Sequence, residues 1–161
     1  MALKAGIDLS LVGDVVLDMV TVLKQPGLDG NIRIWYENML EYACRKMEEF
    51  VDPEVSVAAQ KEAKKLQLRL SEYRYCDQPK FDKGREVFHW EHVMPVSEMK
   101  RRLVGDETRI ATKEDVMSVL KRTDIAWILK DEDRKLVSYG YRSSRLENPW
   151  EAYDKAKIEI L

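Results

Sequence analysis

Ile125-Ala126-Trp127-Ile128-Leu129-Lys130-Asp131-Glu132-Asp133-Arg134-Lys135-Leu136 passes from five apolar residues to a charged run with no glycine or proline between them. An apolar run of this length, rich in β-branched and aromatic residues, reads as a buried strand. The acids that follow sit where a helix N-terminus favours negative charge. The stretch therefore predicts a strand over 125–129 running directly into a helix that begins at Lys130.

Upstream, Glu86 to Val93 is aromatic and β-branched and predicts a second strand. Between the two strands, Ser97 to Leu103 suggests a short helix. Thr112-Lys113-Glu114-Asp115 resembles an N-cap followed by first-turn acids, opening a helix to about Arg122. Downstream, Tyr139-Gly140-Tyr141 breaks the pattern, an arginine-rich loop follows, and Pro149 suits the start of a last short helix.

The N-terminal half has a different periodicity. Leu11, Val12, Val15, Val16, Met19, Val22 and Leu23 recur at three- and four-residue steps until Gln25-Pro26-Gly27 ends the pattern. A second periodic stretch from Gly30 to Phe50 places Trp35, Met39, Tyr42 and Met47 in a core, and Cys44 reads as a small buried hydrophobe. A third helix is expected from about Glu54 to Tyr75. Asp77 to Gly84 has the composition of a linker. The expected organisation is a helical module over 1–78 and a second module over 79–161, or one compact domain. The expected class is α+β, mainly helical.

Composition narrows the functions on offer. The 161 residues are 45% hydrophobic, enough for a core, and 35% charged. Lysine and arginine (27) nearly balance aspartate and glutamate (29), so a net charge of −2 gives no general attraction to polyanions, and any nucleic-acid contact must come from local clusters. Two cysteines without a Cys-x-x-Cys pair exclude a structural zinc site of that kind and fit a reduced, cytoplasmic chain. No unbroken apolar segment has the length of a membrane span, and no secretory leader pattern stands at the start.

Both histidines fall in His89-Trp90-Glu91-His92-Val93-Met94-Pro95. A carboxylate beside an imidazole can hold a hard divalent cation while the ring takes a proton from water. Pro95 argues against the helix on which zinc peptidases place paired histidines. A strand ending in Glu91-His92, followed by a hydrophobic residue and a proline, then a second strand and an acidic helix start, resembles the HNH nuclease superfamily over roughly residues 87–155. Members of that superfamily fold a two-stranded hairpin and a helix around one metal ion.

The resemblance implies a metal-dependent DNA endonuclease that hydrolyses phosphodiester bonds. Glu91 would be a ligand to a single Mg²⁺ or Mn²⁺ and His92 the general base. Asp133, or next Glu132, would be the ligand from the helix, and Asp124 would stand where the superfamily has a loop-orienting asparagine. Asp124 and the helix acids depart from the superfamily's usual residue types, and its cysteine-rich zinc knuckle is absent, so apolar packing by Trp90 and Trp127 would have to hold the hairpin. Arg142 and Arg145, with Arg101 and Arg102 of the run Lys100-Arg101-Arg102, are the candidate phosphate contacts.

Strand alternation leaves a second arrangement open. His89 and Glu91, two apart, would share a face while His92 points the other way, so His89 is either a ligand beside Glu91 or a supporting residue. The acids at 131–133 would, on a plainer view, only favour a helix start, and Lys100-Arg101-Arg102 would be a solvated face. DNA is the expected partner, with a homodimer through the N-terminal helices also open. The rival function is a non-catalytic helical binding or inhibitory module in which the Glu-His pair is structural.

Overall fold

The apolar run at 125–129 is the centre strand of a sheet. In a computed structural model, which describes residues 4, 8–105, 109–145 and 147–161, the chain is α+β and mainly helical. Its elements are α1 (Ser10–Leu23), α2 (Gly30–Lys46), β1 (Glu54–Val55), α3 (Val57–Lys65), β2 (Phe88–His92), α4 (Val96–Val104), α5 (Lys113–Leu120), β3 (Ile125–Leu129), α6 (Lys130–Ser138) and α7 (Glu151–Lys155). They group into two units. One comprises Met1–Val51 and Met94–Thr123, the other Asp52–Val93 and Asp124–Leu161. Residues 52–93 thus run unbroken across the boundary expected between 78 and 79.

The first unit is helical. Val16 and Val20 of α1, Leu40 and Cys44 of α2, Met99 and Leu103 of α4, and Val116 and Leu120 of α5 form its core. Each fully buried side chain of this size contributes about 1.5–3 kcal/mol against exposure. Asp29 caps α2 by accepting from Asn31 N at 2.9 Å and Ile32 N at 3.2 Å. The expected cap at Thr112 is a reciprocal box: Thr112 Oγ1 accepts from Asp115 N at 3.2 Å, and Asp115 Oδ2 accepts from Thr112 N at 2.9 Å. Gly13 lets α1 approach α5, since a Cβ there would lie 2.9 Å from Met117 Sδ.

Helix α2 corrects one expectation. Met47 and Cys44 are buried, but Trp35 and Tyr42 are 57% and 59% exposed, and Ile32 and Met39 also lie open. The helix has two apolar stripes. Leu40, Cys44 and Met47 meet the core, while Ile32, Trp35, Met39 and Tyr42 repeat at alternating three- and four-residue steps on another face. Periodicity reports a stripe without saying which stripe is covered.

In the second unit the described strands form one three-stranded sheet in the order β1-β3-β2. β2 pairs antiparallel with β3, with Phe88 opposite Leu129, Trp90 opposite Trp127 and His92 opposite Ile125, and β1 pairs parallel with β3. The strand-strand-helix order read from sequence is present, but the connection between β2 and β3 passes through the helices α4 and α5 rather than a tight turn. The third helix expected over 54–75 is broken instead into β1, the nine-residue α3 and 3₁₀ turns at Leu70–Glu72 and Tyr75–Lys80. Val55 is taken into the sheet, and Ser56 then caps α3 by accepting from Ala59 N at 3.0 Å.

One face of this sheet is aromatic. Trp90 and Trp127 meet edge to face at 4.8 Å, Phe81 packs on Trp127 at 5.9 Å and on Phe88 at 5.8 Å, and the Trp127 indole donates to Tyr73 O at 3.3 Å. The stretch read as a linker is part of this scaffold. Asp82 is buried and accepts from Glu86 N at 3.0 Å and Phe88 N at 2.9 Å, while Gln78 Nε2 donates to Asp82 Oδ2 at 2.9 Å and Phe88 O at 2.7 Å. Burial alone would raise the Asp82 carboxyl, but these donors outweigh it and hold the group below the ordinary carboxylate range. The opposite face carries Val93, Ala126 and Ile128 against Leu136 of α6 and Ala152, Tyr153, Ala156 and Ile158 of the C-terminal segment.

Candidate metal centre

His89 and Glu91 leave β2 on this second face, because residues two apart on a strand share a side. α6 follows β3 without a loop, so its first turn stands beside them. His89 Nε2 lies 3.0 Å from Glu91 Oε2 and 3.7 Å from Asp133 Oδ1. One ligand atom from each of His89, Glu91 and Asp133 falls within 4.8 Å of the other two. An imidazole nitrogen and two carboxylate oxygens at this spacing suit a hard divalent cation.

Two cations of the chain flank the group. Lys130 Nζ approaches His89 Nδ1 at 3.4 Å. An ammonium only donates and a carboxylate only accepts, so the tautomer that satisfies both neighbours carries its hydrogen on Nε2 toward Glu91 and offers the Nδ1 lone pair to Lys130. Arg145 is the second. Its side chain is 1% exposed. It donates through Nε to Val93 O at 3.2 Å, and its terminal nitrogens donate to Tyr141 O and to Glu91 Oε1. Glu91 is thereby gripped from both sides, by Arg145 on one oxygen and His89 on the other.

Tyr153 of α7 completes the surroundings. It is 1% exposed and packs with Ala126 and Ile128, the residues that pair with Glu91 and His89. Its hydroxyl is buried without a hydrogen-bond partner among the described residues. An unpartnered buried hydroxyl costs about 1–3 kcal/mol. Burial, with Glu91 next, pushes the phenol well above its ordinary range.

Comparison with family models, curated proteins and solved structures finds no match. What the site can do follows from its own geometry.

Of the residues singled out by sequence, the structure brings together Glu91, Asp133 and His89. His92 is the next residue along a regularly paired strand and so falls on the aromatic side of the sheet, outside the three-residue group. Glu132, the alternative helix ligand, is corrected. It is 94% covered, and Oε2 accepts from Leu129 N at 2.8 Å and from Ser56 Oγ at 2.6 Å, so it caps α6 and ties that helix to the start of α3. Asp124 Oδ2 accepts from the Trp150 indole at 3.0 Å, bracing the segment that leads into α7.

The basic candidates divide. Arg142 is exposed, but Arg145 is turned inward on Glu91, which corrects its expected role on the surface. Arg101 and Arg102 lie in the other unit, where both donate to the buried Glu98, at 2.6 Å and 2.9 Å. Burial would raise the Glu98 carboxyl, but the two guanidiniums outweigh it and hold it below its ordinary value. Sequence reasoning passed over Lys130, read only as part of a charged helix start, and Tyr153, whose aromatic spacing gives no sign of an unpaired hydroxyl.

Proposed function

We propose that the chain is a metal-dependent phosphodiesterase of the endonuclease type, with DNA as its substrate. The observation that supports this reading is the convergence of Glu91 and Asp133, far apart in sequence, beside an imidazole on a strand-strand-helix frame. The donor set fits Mg²⁺ or Mn²⁺, with Glu91 and Asp133 as the residues to hold it. When bound, the cation supplies charge neutralisation at a phosphoryl oxygen. His89, on the same face as both carboxylates, would take a proton from the attacking water through Nδ1, the nitrogen that carries the lone pair, once the water displaces Lys130 from it; sequence alone assigned this task to His92. Lys130 holds the ring at Nδ1 until water enters, and Arg145 fixes the orientation of Glu91. Arg142 is the exposed guanidinium available to a phosphate backbone.

The test is divalent-ion-dependent nicking of supercoiled plasmid by the wild-type protein, His89→Ala and His92→Ala. Loss of cutting in His89→Ala alone supports the assignment. Cutting that survives in His89→Ala and vanishes in His92→Ala restores the sequence-based base, and cutting by none of the three removes the nuclease reading. A specific observation favours a rival: Lys130 and Arg145 already supply positive charge to the cluster, as a purely structural polar network would require. On that reading the chain is a non-catalytic binding or inhibitory module.

The exposed stripe on α2 is the surface we assign to a second copy of the chain. An antiparallel pair of α2 helices centred on Glu37 sets Ile32 level with Tyr42, Trp35 with Met39, and Asp29 with Arg45. Apolar residues then meet apolar ones and opposite charges flank them.

A further inference from the structure

Most of the polar groups around the metal centre have an internal use. Glu91 is shared between Arg145 and His89, His89 lies between Glu91 and Lys130, and Glu132 caps its own helix. The Tyr153 hydroxyl alone is buried with no partner among the described residues. The ring packs with the apolar side chains of Val93, Ala126, Ile128 and Leu136. A phenylalanine would fill the same space with no polar atom to satisfy.

The position of the ring relates the hydroxyl to the centre. Ala126 and Ile128 stand directly across the ladder from Glu91 and His89, and Leu136 lies one turn beyond Asp133 on the same helix. Tyr153 therefore packs on α6, which carries Asp133, and on β3, the strand paired with the β2 residues His89 and Glu91. Glu91, Arg145 and Asp133 are also among the charges that act on its phenol.

We propose that the Tyr153 hydroxyl is the unfilled hydrogen-bonding group of the His89–Glu91–Asp133 centre, donating to an oxygen atom, of a water or of a phosphoryl group, that enters with the cation. The proposal rests on the metal reading given above and adds a binding residue to it. An orphaned buried donor packed against the elements around these carboxylates is arranged for a ligand that the protein itself does not supply.

The experiment is a titration with Mn²⁺ alone, and again with inorganic phosphate, followed by calorimetry and by the shift in melting temperature, for the wild-type protein, Tyr153→Phe and Asp133→Asn. In Tyr153→Phe the metal-free melting temperature is expected to equal or exceed that of the wild type, because no internal hydrogen bond is lost. Its Mn²⁺ affinity is expected to fall about tenfold, with a correspondingly smaller stabilisation by the ion. A deficit already present with Mn²⁺ alone identifies a water as the acceptor, and one that appears only with phosphate identifies a phosphoryl oxygen. Asp133→Asn is expected to lose binding in both arms. Equal affinity and equal stabilisation in wild type and Tyr153→Phe overturn this proposal while leaving the metal centre intact. A lower metal-free melting temperature in Tyr153→Phe overturns it too, since the hydroxyl then has a structural partner. Failure of the wild-type protein to bind Mn²⁺ overturns the metal reading itself, and this proposal with it.

Discussion

The two faces of the β2–β3 ladder are built from alternate residues of the same strands, yet they have little chemistry in common. Phe88, Trp90 and Trp127 turn to one side, where aromatic rings meet edge to face and Gln78 and Asp82 bond to each other and to backbone groups. His89 and Glu91 turn to the other, where two cations, two carboxylates and an unpartnered phenol gather within one region. The first face has the saturation expected of a scaffold. The second is unequally satisfied, with the Tyr153 hydroxyl left over. Period-two alternation is what separates them, and it places the two histidines of one short motif on opposite faces.

That contrast is easiest to break at the histidines. His89→Ala is expected to lower plasmid nicking by ~10²–10⁴, the usual worth of a general base. His92→Ala, on the scaffold side, should change turnover by less than about tenfold when the two are compared at equal folded fraction by circular dichroism. Equal losses would mean that the ladder does not sort the two rings.

On the aromatic face the corresponding blow falls on stability. Trp127→Ala removes the ring that Trp90, Phe81 and the Tyr73 carbonyl all contact and should cost about 3–5 kcal/mol in urea unfolding. A loss below about 1 kcal/mol would show that the face is not the scaffold.

Asp82 sharpens the comparison through pH. Its carboxyl is held below the ordinary range in the folded protein, so the stabilisation it provides is present above the unfolded carboxylate value of ~3.9 and is lost as pH falls through the lower folded value. Asp82→Asn should cost about 1–3 kcal/mol at pH 7. The gap between variant and wild type should narrow as the medium is acidified below about pH 4, and a gap independent of pH would refute the assignment. The smallest effect concerns thiols. Burial, with Glu41 next, pushes Cys44 up to about 12, so a thiol reagent at pH 8 should modify the exposed Cys76 and leave Cys44 intact until the protein unfolds. Two equivalents reacting at once would contradict the packing of α2.

Much of this was legible in the chain. The strand at 125–129, the helix directly after it, the strand through 88–92 and the cap at Thr112 follow from local composition and period, and all are present. Glu91 and Asp133 were paired by the resemblance, which sets one ligand near a strand end and the other in the first turn of the following helix. What escaped depended on long-range partners. Val55 is drawn into a strand by β3, which no local pattern at 54–75 announces. Glu132 and Asp133 are adjacent acids, and only the arrival of Ser56 gives the first a capping and bridging duty and leaves the second to the site. Arg145 reads as a candidate phosphate contact until Glu91 claims it.

The route of the chain between β2 and β3 has a consequence for how the protein is made. The middle strand of the sheet is the last of the three to be synthesised, after residues 94–124 have emerged. The aromatic scaffold cannot assemble on a nascent polypeptide that stops short of Trp127, nor the His89–Glu91–Asp133 group on one that stops short of Asp133. Ribosome-bound fragments would therefore carry no competent centre, and pairing across so long an excursion should make completion of the sheet a late step in folding.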